Sequence, residues 1–228
     1  MSSFNSYFQS SIGRKQIVAV TGLLLIGFVI MHLAGNLFIF GGPEAFNGYA
    51  KKLASLRPAL NYLEAALAAI FVVHLYVTAL LVFENFNARG QRYAVQKSKA
   101  QKTWVARLMP YTGTAVFAFV IWHLLDFTFA DHEGPRRILC GKDFGLYGIV
   151  YNSFKDPLHS LLYILAMIAV GMHLSHGVQS FCQTFGINHP RYTPIILKFS
   201  FWFSVLITLG YSSIPIFVFW DSLKTGPC

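Results

Sequence analysis

The stretch QIVAVTGLLLIGFVIMHLAGNLFIFG, residues 16–41, decides the fold. It contains no Asp, Glu, Lys or Arg, and about 20 apolar residues are enough to cross a ~30 Å hydrocarbon layer as a helix. Charged side chains make up 12% of the whole chain, whereas a soluble domain carries about 25%. We therefore predict that this stretch is a transmembrane helix.

Four further stretches contain no Asp, Glu, Lys or Arg: residues 65–83, 108–125, 157–190 and 199–220. Open strands cannot cross lipid, because their backbone polar groups would stay unpaired. The fold class is therefore predicted to be an all-α integral membrane protein, with residues 1–228 as one bundle domain. The connection 130–156 contains Gly and Pro residues that argue against another crossing. Five transmembrane helices are predicted, at about 16–41, 60–85, 106–129, 157–183 and 198–220.

The net charge of +9 sits in loops that flank the apolar spans. The positive-inside rule interprets such Lys and Arg residues as orientation signals, so no nucleic-acid partner is expected. The dense basic loop between spans two and three, residues 86–105, places the N-terminus in the cytoplasm and the C-terminus outside. The first apolar run is too long for a cleavable signal peptide. The predicted location is the bacterial cytoplasmic membrane, as a multi-pass protein.

The three cysteines, Cys140, Cys182 and Cys228, form no C-x-x-C or C-x-x-C-H pattern. Neither a thiolate metal site nor a covalently attached haem is therefore indicated. A bond between Cys140 and Cys228 is conceivable, since both fall on the outer side, but unpaired, scattered thiols are the favoured interpretation.

Each of the first four spans contains a histidine at depth. An ionisable residue inside the hydrocarbon layer is costly and by default marks a functional site. At a rise of ~1.5 Å per residue, His32 and His123 fall in an outer layer, while His74 and His173 fall in an inner layer roughly 10 Å away. Haem iron takes one axial nitrogen on each face, and facing helices of a bundle supply such ligands. The pattern therefore predicts two bis-histidine haems stacked across the membrane.

His176 competes with His173 for the place in span four, because residues three apart share a helix face. His173 matches His74 more closely in depth. His176 is assigned either as a donor to a haem propionate or as a satisfied interfacial histidine. For any one of these histidines, the alternative is an interhelical hydrogen bond to a hydroxyl or carbonyl group.

The deep histidines lie in four segments with distinctive neighbours: HLAGNLFIFGGPEAFNGYAKKL (32–53), VVHLYVTALLVFENF (72–86), VIWHLLDF (120–127) and MHLSHGVQSFCQTFG (172–186). Together with SIGRKQIVAVTG (11–22), they resemble the diheme cytochrome b membrane anchors of succinate:quinone oxidoreductases, which include succinate dehydrogenases and fumarate reductases. The resemblance is to the single-chain, five-helix, two-haem type and extends over essentially the whole chain.

The resemblance implies a respiratory-chain anchor that passes electrons between an iron–sulfur subunit and quinone, with menaquinone as the quinone typical of this type. It implies that His74 and His173 bind the proximal haem b, that His32 and His123 bind the distal one, and that His173 rather than His176 is the ligand. A flavoprotein with FAD and an iron–sulfur protein would dock on the cytoplasmic side and carry the dicarboxylate chemistry of the tricarboxylic acid cycle. A dimer of such heterotrimers is a further expectation.

Three polar residues near the outer histidine layer are candidates for the quinone site. Glu64 lies ten residues before His74, roughly 15 Å nearer the outside, and is the candidate for proton exchange with quinone. Asn36 follows His32 by about one turn, and Asp126 follows His123 by three residues on the same face. The alternatives are a helix N-terminal acid for Glu64, interhelical packing for Asn36 and an interface marker for Asp126.

Polar residues at both edges of the bundle are candidates for binding haem propionates. The alternative for each is a headgroup or topology anchor. On the cytoplasmic side they are Arg14, Lys15 and Thr21, and on the outer side Arg136, Arg137 and Lys155.

Two other function classes also place histidines in apolar spans. A cytochrome b anchor of a membrane hydrogenase or formate dehydrogenase would share the haem argument but not the segments around His32 and His173. A non-haem proton-coupled transporter would carry an internal repeat and half-helices broken at mid-membrane, and the sequence shows neither.

Overall fold

The computed structural model describes residues 7–8, 10–87 and 104–225. Its long helices occupy the uncharged stretches. The α-helices are α1 Ser11–Asn36, α2 Gly42–Ala54, α3 Ala59–Asn87, α4 Trp104–His123, α5 Gly145–Phe154, α6 Pro157–Thr184 and α7 Thr193–Thr225. A 3₁₀ turn, Leu37–Gly41, joins α1 to α2, and a π-helical turn, Leu124–Thr128, follows α4. Between α4 and α5 lie a 3₁₀ turn, Pro135–Arg137, and the antiparallel strands β1 Ile138–Leu139 and β2 Lys142–Asp143.

Five helical stretches of the described chain are long and apolar enough to cross a membrane. They are Ser11–Ala54, Ala59–Asn87, Arg107–Thr128, Pro157–Thr184 and Thr193–Lys224. This confirms the all-α, five-helix membrane fold. Large apolar side chains such as Phe83, which is 65% exposed, cover the outside of the bundle, as expected where lipid rather than water surrounds a helix.

The predicted orientation rests on the basic loop 86–105, and most of that loop lies outside the described residues. The cytoplasmic N-terminus and the outer C-terminus therefore remain predictions. At the end of the bundle from which this loop leaves α3, the Arg14 guanidinium forms an ion pair with Glu84. The pair joins the start of α1 to the end of α3.

Four helices form a bundle around the deep histidines. Helix α1 packs on α3 and on α6, and α4 packs on α6. The Phe71 and Phe117 rings, 6.4 Å apart, bring α3 against α4 and complete the square. Helices α1 and α4 therefore occupy one diagonal, and α3 and α6 occupy the other. Helix α7 lies outside this square, against α6 and α1.

Small residues hold α7 tightly against α6. A Cβ atom at Gly171 would collide with the Thr208 side chain and lie 3.4 Å from the Ser204 carbonyl oxygen. Gln179 donates a hydrogen bond to the buried Ser200 hydroxyl at 2.9 Å. Small residues allow transmembrane helices to approach closely, and polar side chains bond across them. Helix α7, which carries no histidine, thus braces the square of helices that carry the deep histidines.

The connection 130–156 contains no further membrane-length helix in the part of the chain that the structure describes. Its helix α5 instead packs on α2 to form a cap over one end of the bundle. The Phe46 ring lies 6.4 Å from the Tyr147 ring, and both residues are buried. The Asn47 amide donates to the Phe144 carbonyl at 2.8 Å and accepts from the Tyr147 amide at 3.0 Å.

An ionic contact supports the start of α5. The Asp143 carboxylate accepts a hydrogen bond from the Gly145 amide at 2.8 Å, and it also pairs with Arg137. The amide and then the guanidinium lower the pKa of Asp143. Their stabilising effect is therefore present at neutral pH and is lost as the pH falls through that lowered pKa.

The preference for unpaired cysteines is wrong for Cys140, which is disulfide-bonded. Cys140 lies in the tight β1–β2 turn with a positive φ of 52°. Cys228, named above as its conceivable partner, lies outside the described residues. Cys182 is a free thiol.

The bridge made by Asn47 yields a test of the cap. Replacing Asn47 with Ala removes two hydrogen bonds to backbone groups and leaves a carbonyl and an amide short of partners. We expect Asn47→Ala to lower the free energy of unfolding by about 1–3 kcal/mol, measured by thermal unfolding in detergent.

The matched control is Asn61→Ala, because Asn61 accepts its hydrogen bond from Arg57 at an exposed position. Its effect should stay within about 0.5 kcal/mol. Equal destabilisation by the two variants would contradict the bridging role of Asn47.

Candidate functional site

The outer pair of histidines meets across one diagonal of the bundle. His32 on α1 and His123 at the end of α4 have ring centroids 5.8 Å apart, with planes inclined at 81°. Helices α1 and α4 do not pack extensively on each other, so the two rings approach through the centre of the square. The pairing of these two histidines agrees with the layer prediction.

This spacing fits a metal held between the two rings. An imidazole nitrogen binds a transition metal at about 2 Å, which places the centroids of two opposed rings about 6 Å apart. The buried His123 Nδ1 has no hydrogen-bond partner within the described residues. An unpaired polar atom of this kind costs stability unless another group satisfies it. The outer pair therefore fits the axial ligation of one haem.

Aromatic rings enclose the outer pair. The Phe28 ring stacks on His32 at 5.2 Å, and the Tyr211 ring lies 6.1 Å from it. On the other side, Phe119 and Phe127 lie 5.6 Å and 5.4 Å from His123. Such apolar surroundings exclude water and favour a flat, hydrophobic ligand.

The inner pair lies on the other diagonal, with His74 on α3 and His173 on α6. His173 lies within direct electrostatic range of both His74 and His176. The His74 Nδ1 is 3.0 Å from the Thr21 hydroxyl on α1. The His173 Nδ1 is 3.4 Å from the Thr112 hydroxyl on α4. Each inner histidine is thus held by a buried threonine of a neighbouring helix.

Thr112 was missed by the sequence analysis, although a signal was present. The dipeptide Thr-Gly occurs before both inner contacts, at residues 21–22 and 112–113. A Cβ atom at Gly22 would lie 3.3 Å from the His74 ring, and one at Gly113 would lie 3.4 Å from the His173 ring. Each dipeptide therefore supplies a hydroxyl and a gap for one imidazole.

The His176 side chain lies one turn beyond His173 and is half-buried. Its Nδ1 has no hydrogen-bond partner among the residues described. This leaves a ring nitrogen available to a bound group, and the propionate assignment of His176 stays a prediction.

The structure separates the three quinone candidates. The Asn36 amide donates to the His32 carbonyl of its own helix at 2.8 Å. Glu64 is exposed and pairs with Arg57 at 3.2 Å. Asp126 belongs to a polar cluster at the outer end of the bundle. None of the three contacts another.

The Asp126 carboxylate collects three partners in that cluster. It accepts from the Tyr163 hydroxyl at 2.9 Å and pairs with Arg136 at 2.9 Å. The His159 Nε2 lies 3.0 Å from Oδ2, the oxygen that also accepts from Tyr163. The Tyr163 ring is 6.2 Å from the His123 ring, so the cluster adjoins the outer histidine pair. Tyr163 and His159 were not singled out by the sequence analysis, because their role depends on helix contacts.

The propionate candidates also acquire specific neighbours. Arg14 pairs with Glu84, and the Thr21 hydroxyl lies at His74 rather than at the bundle edge. Arg136 bonds to Asp126 and Ser153, whereas Arg137 pairs with Glu133 and Asp143 on the exposed hairpin. Lys15 and Lys155 stay predictions without further support. The assignments of these six residues to haem propionates are untested.

A cavity of about 470 Å³ opens beside the end of α1. The Phe38 and Tyr49 rings stack at 4.9 Å on its wall. The Tyr49 ring also approaches Gly35, where a Cβ atom would lie 2.7 Å away. The cavity is lined by Phe38, Gly48, Tyr49, Lys52, Leu53 and Leu56. It is thus an apolar site with one ammonium and one phenol group, close to the helix that carries His32.

The remaining geometry bears on the rival function classes. Among the described residues, no group of three or more His, Cys, Asp and Glu could hold a metal ion directly. A haem iron differs from such a site because it takes only two ligands from the protein. Helices α3 and α6 run without interruption through their histidines. The half-helices expected of a transporter are therefore absent from α3 and α6.

Comparisons with known proteins agree with this geometry. The model of the family described as "Succinate dehydrogenase/Fumarate reductase transmembrane subunit" matches residues 86–210. The succinate dehydrogenase cytochrome b558 subunit of Bacillus subtilis (strain 168) is 27% identical over 205 residues, which covers 89% of this chain and 92% of that protein. No solved structure matches. Since the family model covers more than half of the chain, the protein belongs to the family of succinate dehydrogenase/fumarate reductase transmembrane subunits.

Proposed function

We propose that this chain is the cytochrome b anchor of a succinate:quinone oxidoreductase and carries electrons between an iron–sulfur subunit and quinone through two haems b. The observation that carries the proposal is the crossing of two histidine pairs on the two diagonals of one bundle. His32 and His123 hold the distal group, and His74 and His173 hold the proximal one. A haem held by each pair supplies a one-electron carrier.

The chain's own side chains bind, orient and shield these groups. The aromatic rings around His32 and His123 exclude water from the outer site. At the inner site, threonine hydroxyls contact His74 and His173. Buried contacts of this kind restrict side-chain motion, and a rigid ligand set is needed for efficient electron transfer.

The partners follow from membership of the family. The dicarboxylate chemistry belongs to a flavoprotein subunit with FAD, which an iron–sulfur subunit connects to this anchor. Both dock at the end of the bundle where α1 begins and α3 ends, which the charge distribution predicts to be cytoplasmic. The basic loop assigned to this contact lies largely outside the described residues. A dimer of the resulting heterotrimer is part of the proposal.

The cavity beside α1 is the proposed site for the quinone ring. Ligand sites commonly have volumes of 300–1,000 Å³ and combine apolar walls with a few polar groups. Lys52 and Tyr49 supply donors to quinone carbonyl oxygens. Leu56 lines the cavity, and the adjacent Arg57 pairs with Glu64. In this proposal Glu64 exchanges protons with the quinone. Menaquinone is the quinone proposed.

Ligand removal tests the histidine assignment. His32→Leu and His123→Leu should remove the same spectral component, while His74→Leu and His173→Leu should remove the other. The reason is that each haem needs both histidines of one diagonal. Haem content per chain and reduced-minus-oxidised spectra of the purified complex measure the result.

His176→Leu is the matched control, since it removes an imidazole of α6 one turn from His173. It should retain both components. If His176→Leu lost a spectral component and His173→Leu did not, His176 rather than His173 would be the haem ligand. A folded wild-type protein without haem would overturn the proposal.

The proton-exchange role of Glu64 has a separate test. Glu64→Gln keeps the size of the side chain but cannot carry a proton between water and quinone. Quinol turnover should fall at least tenfold while both haem spectra stay intact. Unchanged turnover would remove Glu64 from the site.

Lys52→Met tests the cavity itself. Loss of one charge-assisted hydrogen bond, worth about 1.5–3 kcal/mol, should raise the quinone KM about tenfold or more. Lys51→Met on the same helix is the control, because Lys51 does not line the cavity. The cavity is the wrong site if the two variants have the same KM.

A further inference from the structure

The contacts of the two Thr-Gly dipeptides have a common geometry. Thr21 and Gly22 on α1 face the His74 ring of α3. Thr112 and Gly113 on α4 face the His173 ring of α6. Both threonines are buried at 9% exposure. Each dipeptide therefore touches a histidine of the helix with which it forms a hairpin.

The hydrogen bonds of Thr21 determine which proton lies between the two side chains. The Thr21 hydroxyl donates its single proton to the Ile17 carbonyl at 2.7 Å. At its 3.0 Å contact with the His74 Nδ1, it can therefore only accept. The Val18 carbonyl, which cannot donate, also faces this ring. The proton of neutral His74 is thus on Nδ1, and Nε2 keeps its lone pair.

The same reasoning applies to Thr112, with longer distances. Its hydroxyl donates to the Met109 carbonyl at 3.2 Å and lies 3.4 Å from the His173 Nδ1. The glycine after each threonine brings the backbone against the ring. A Cβ atom there would come within 3.3–3.4 Å of the imidazole Cε1. The ring is therefore restrained by a hydroxyl and by the backbone.

We propose that Thr21 and Thr112 are positioning residues that fix the tautomer and orientation of His74 and His173. Each hydroxyl accepts the Nδ1 proton, so that the ring presents Nε2 to the iron of the proximal haem. This inference rests on the proposed function. Hydrogen bonds to the second ring nitrogen of a metal-binding histidine make it a more basic ligand.

The outer site is built differently. The His123 Nδ1 has no hydrogen-bond partner among the described residues, and aromatic rings surround both outer histidines. Changes at Thr21 and Thr112 should therefore affect one haem and leave the other unchanged.

The decisive experiment is a potentiometric titration of haem in the purified complex for Thr21→Val and Thr21→Ser. Valine has the shape of threonine but accepts no hydrogen bond, which makes the ligand less basic and favours the reduced iron. Thr21→Val should shift one midpoint potential to a more positive value and lower haem retention at that site about tenfold. Thr21→Ser, which keeps the hydroxyl, should restore both quantities.

Thr114→Val is the matched control. The exposed Thr114 hydroxyl bonds to the Pro110 carbonyl of its own helix at 2.9 Å, so this variant loses a similar helix bond without touching a histidine. Thr112→Val provides a second test of the same haem, with a smaller shift because its contact is longer.

The proposal is overturned if both valine variants titrate like the wild type, or if Thr114→Val shifts the same haem equally. It is also overturned if Thr21→Ser behaves like Thr21→Val. A wild-type complex without haem would instead overturn the proposed function, so the two failures are distinguishable.

Discussion

An imidazole in a hydrocarbon layer finds no water, and its two nitrogens must be satisfied by the protein or by a ligand. This constraint organises the structure. At the inner layer, buried threonines contact one nitrogen of His74 and one of His173. At the outer layer, His32 and His123 meet among aromatic rings, and a ring nitrogen of His123 stays unpaired. The two layers therefore satisfy their imidazoles differently, through threonine hydroxyls in one and through aromatic packing in the other.

Much of the fold follows from the distribution of charge along the chain, since a charged side chain rarely lies in the hydrocarbon layer. The helices nevertheless extend beyond the predicted spans. Helix α7 covers Thr193–Thr225, whereas the predicted span was 198–220, because a helix continues into the headgroup region with polar residues. Helices α2 and α5 were not predicted. Both are short, and their stability depends on packing against each other through Phe46 and Tyr147.

The two-layer arrangement of histidines was predictable because the rise per residue of a helix is nearly constant. The rotation of each helix and the choice of its neighbours are not fixed by that arithmetic. Thr21 was therefore assigned to a propionate, although its hydroxyl faces His74. Tyr163 and His159 were overlooked for the same reason, since only the contact between α4 and α6 brings them to Asp126.

The placement of the paired histidines on diagonals bears on biogenesis. Helices α1 and α3 form one antiparallel hairpin that carries His32 and His74, and α4 and α6 form another that carries His123 and His173. Each hairpin thus contains half of both sites and neither site complete. Insertion can proceed hairpin by hairpin, with the inner rings already restrained by their own hairpin's threonines. The outer pair is complete once α4 has been inserted, whereas the inner pair also needs α6, so the two pairs are completed in sequence and each joins one hairpin to the other.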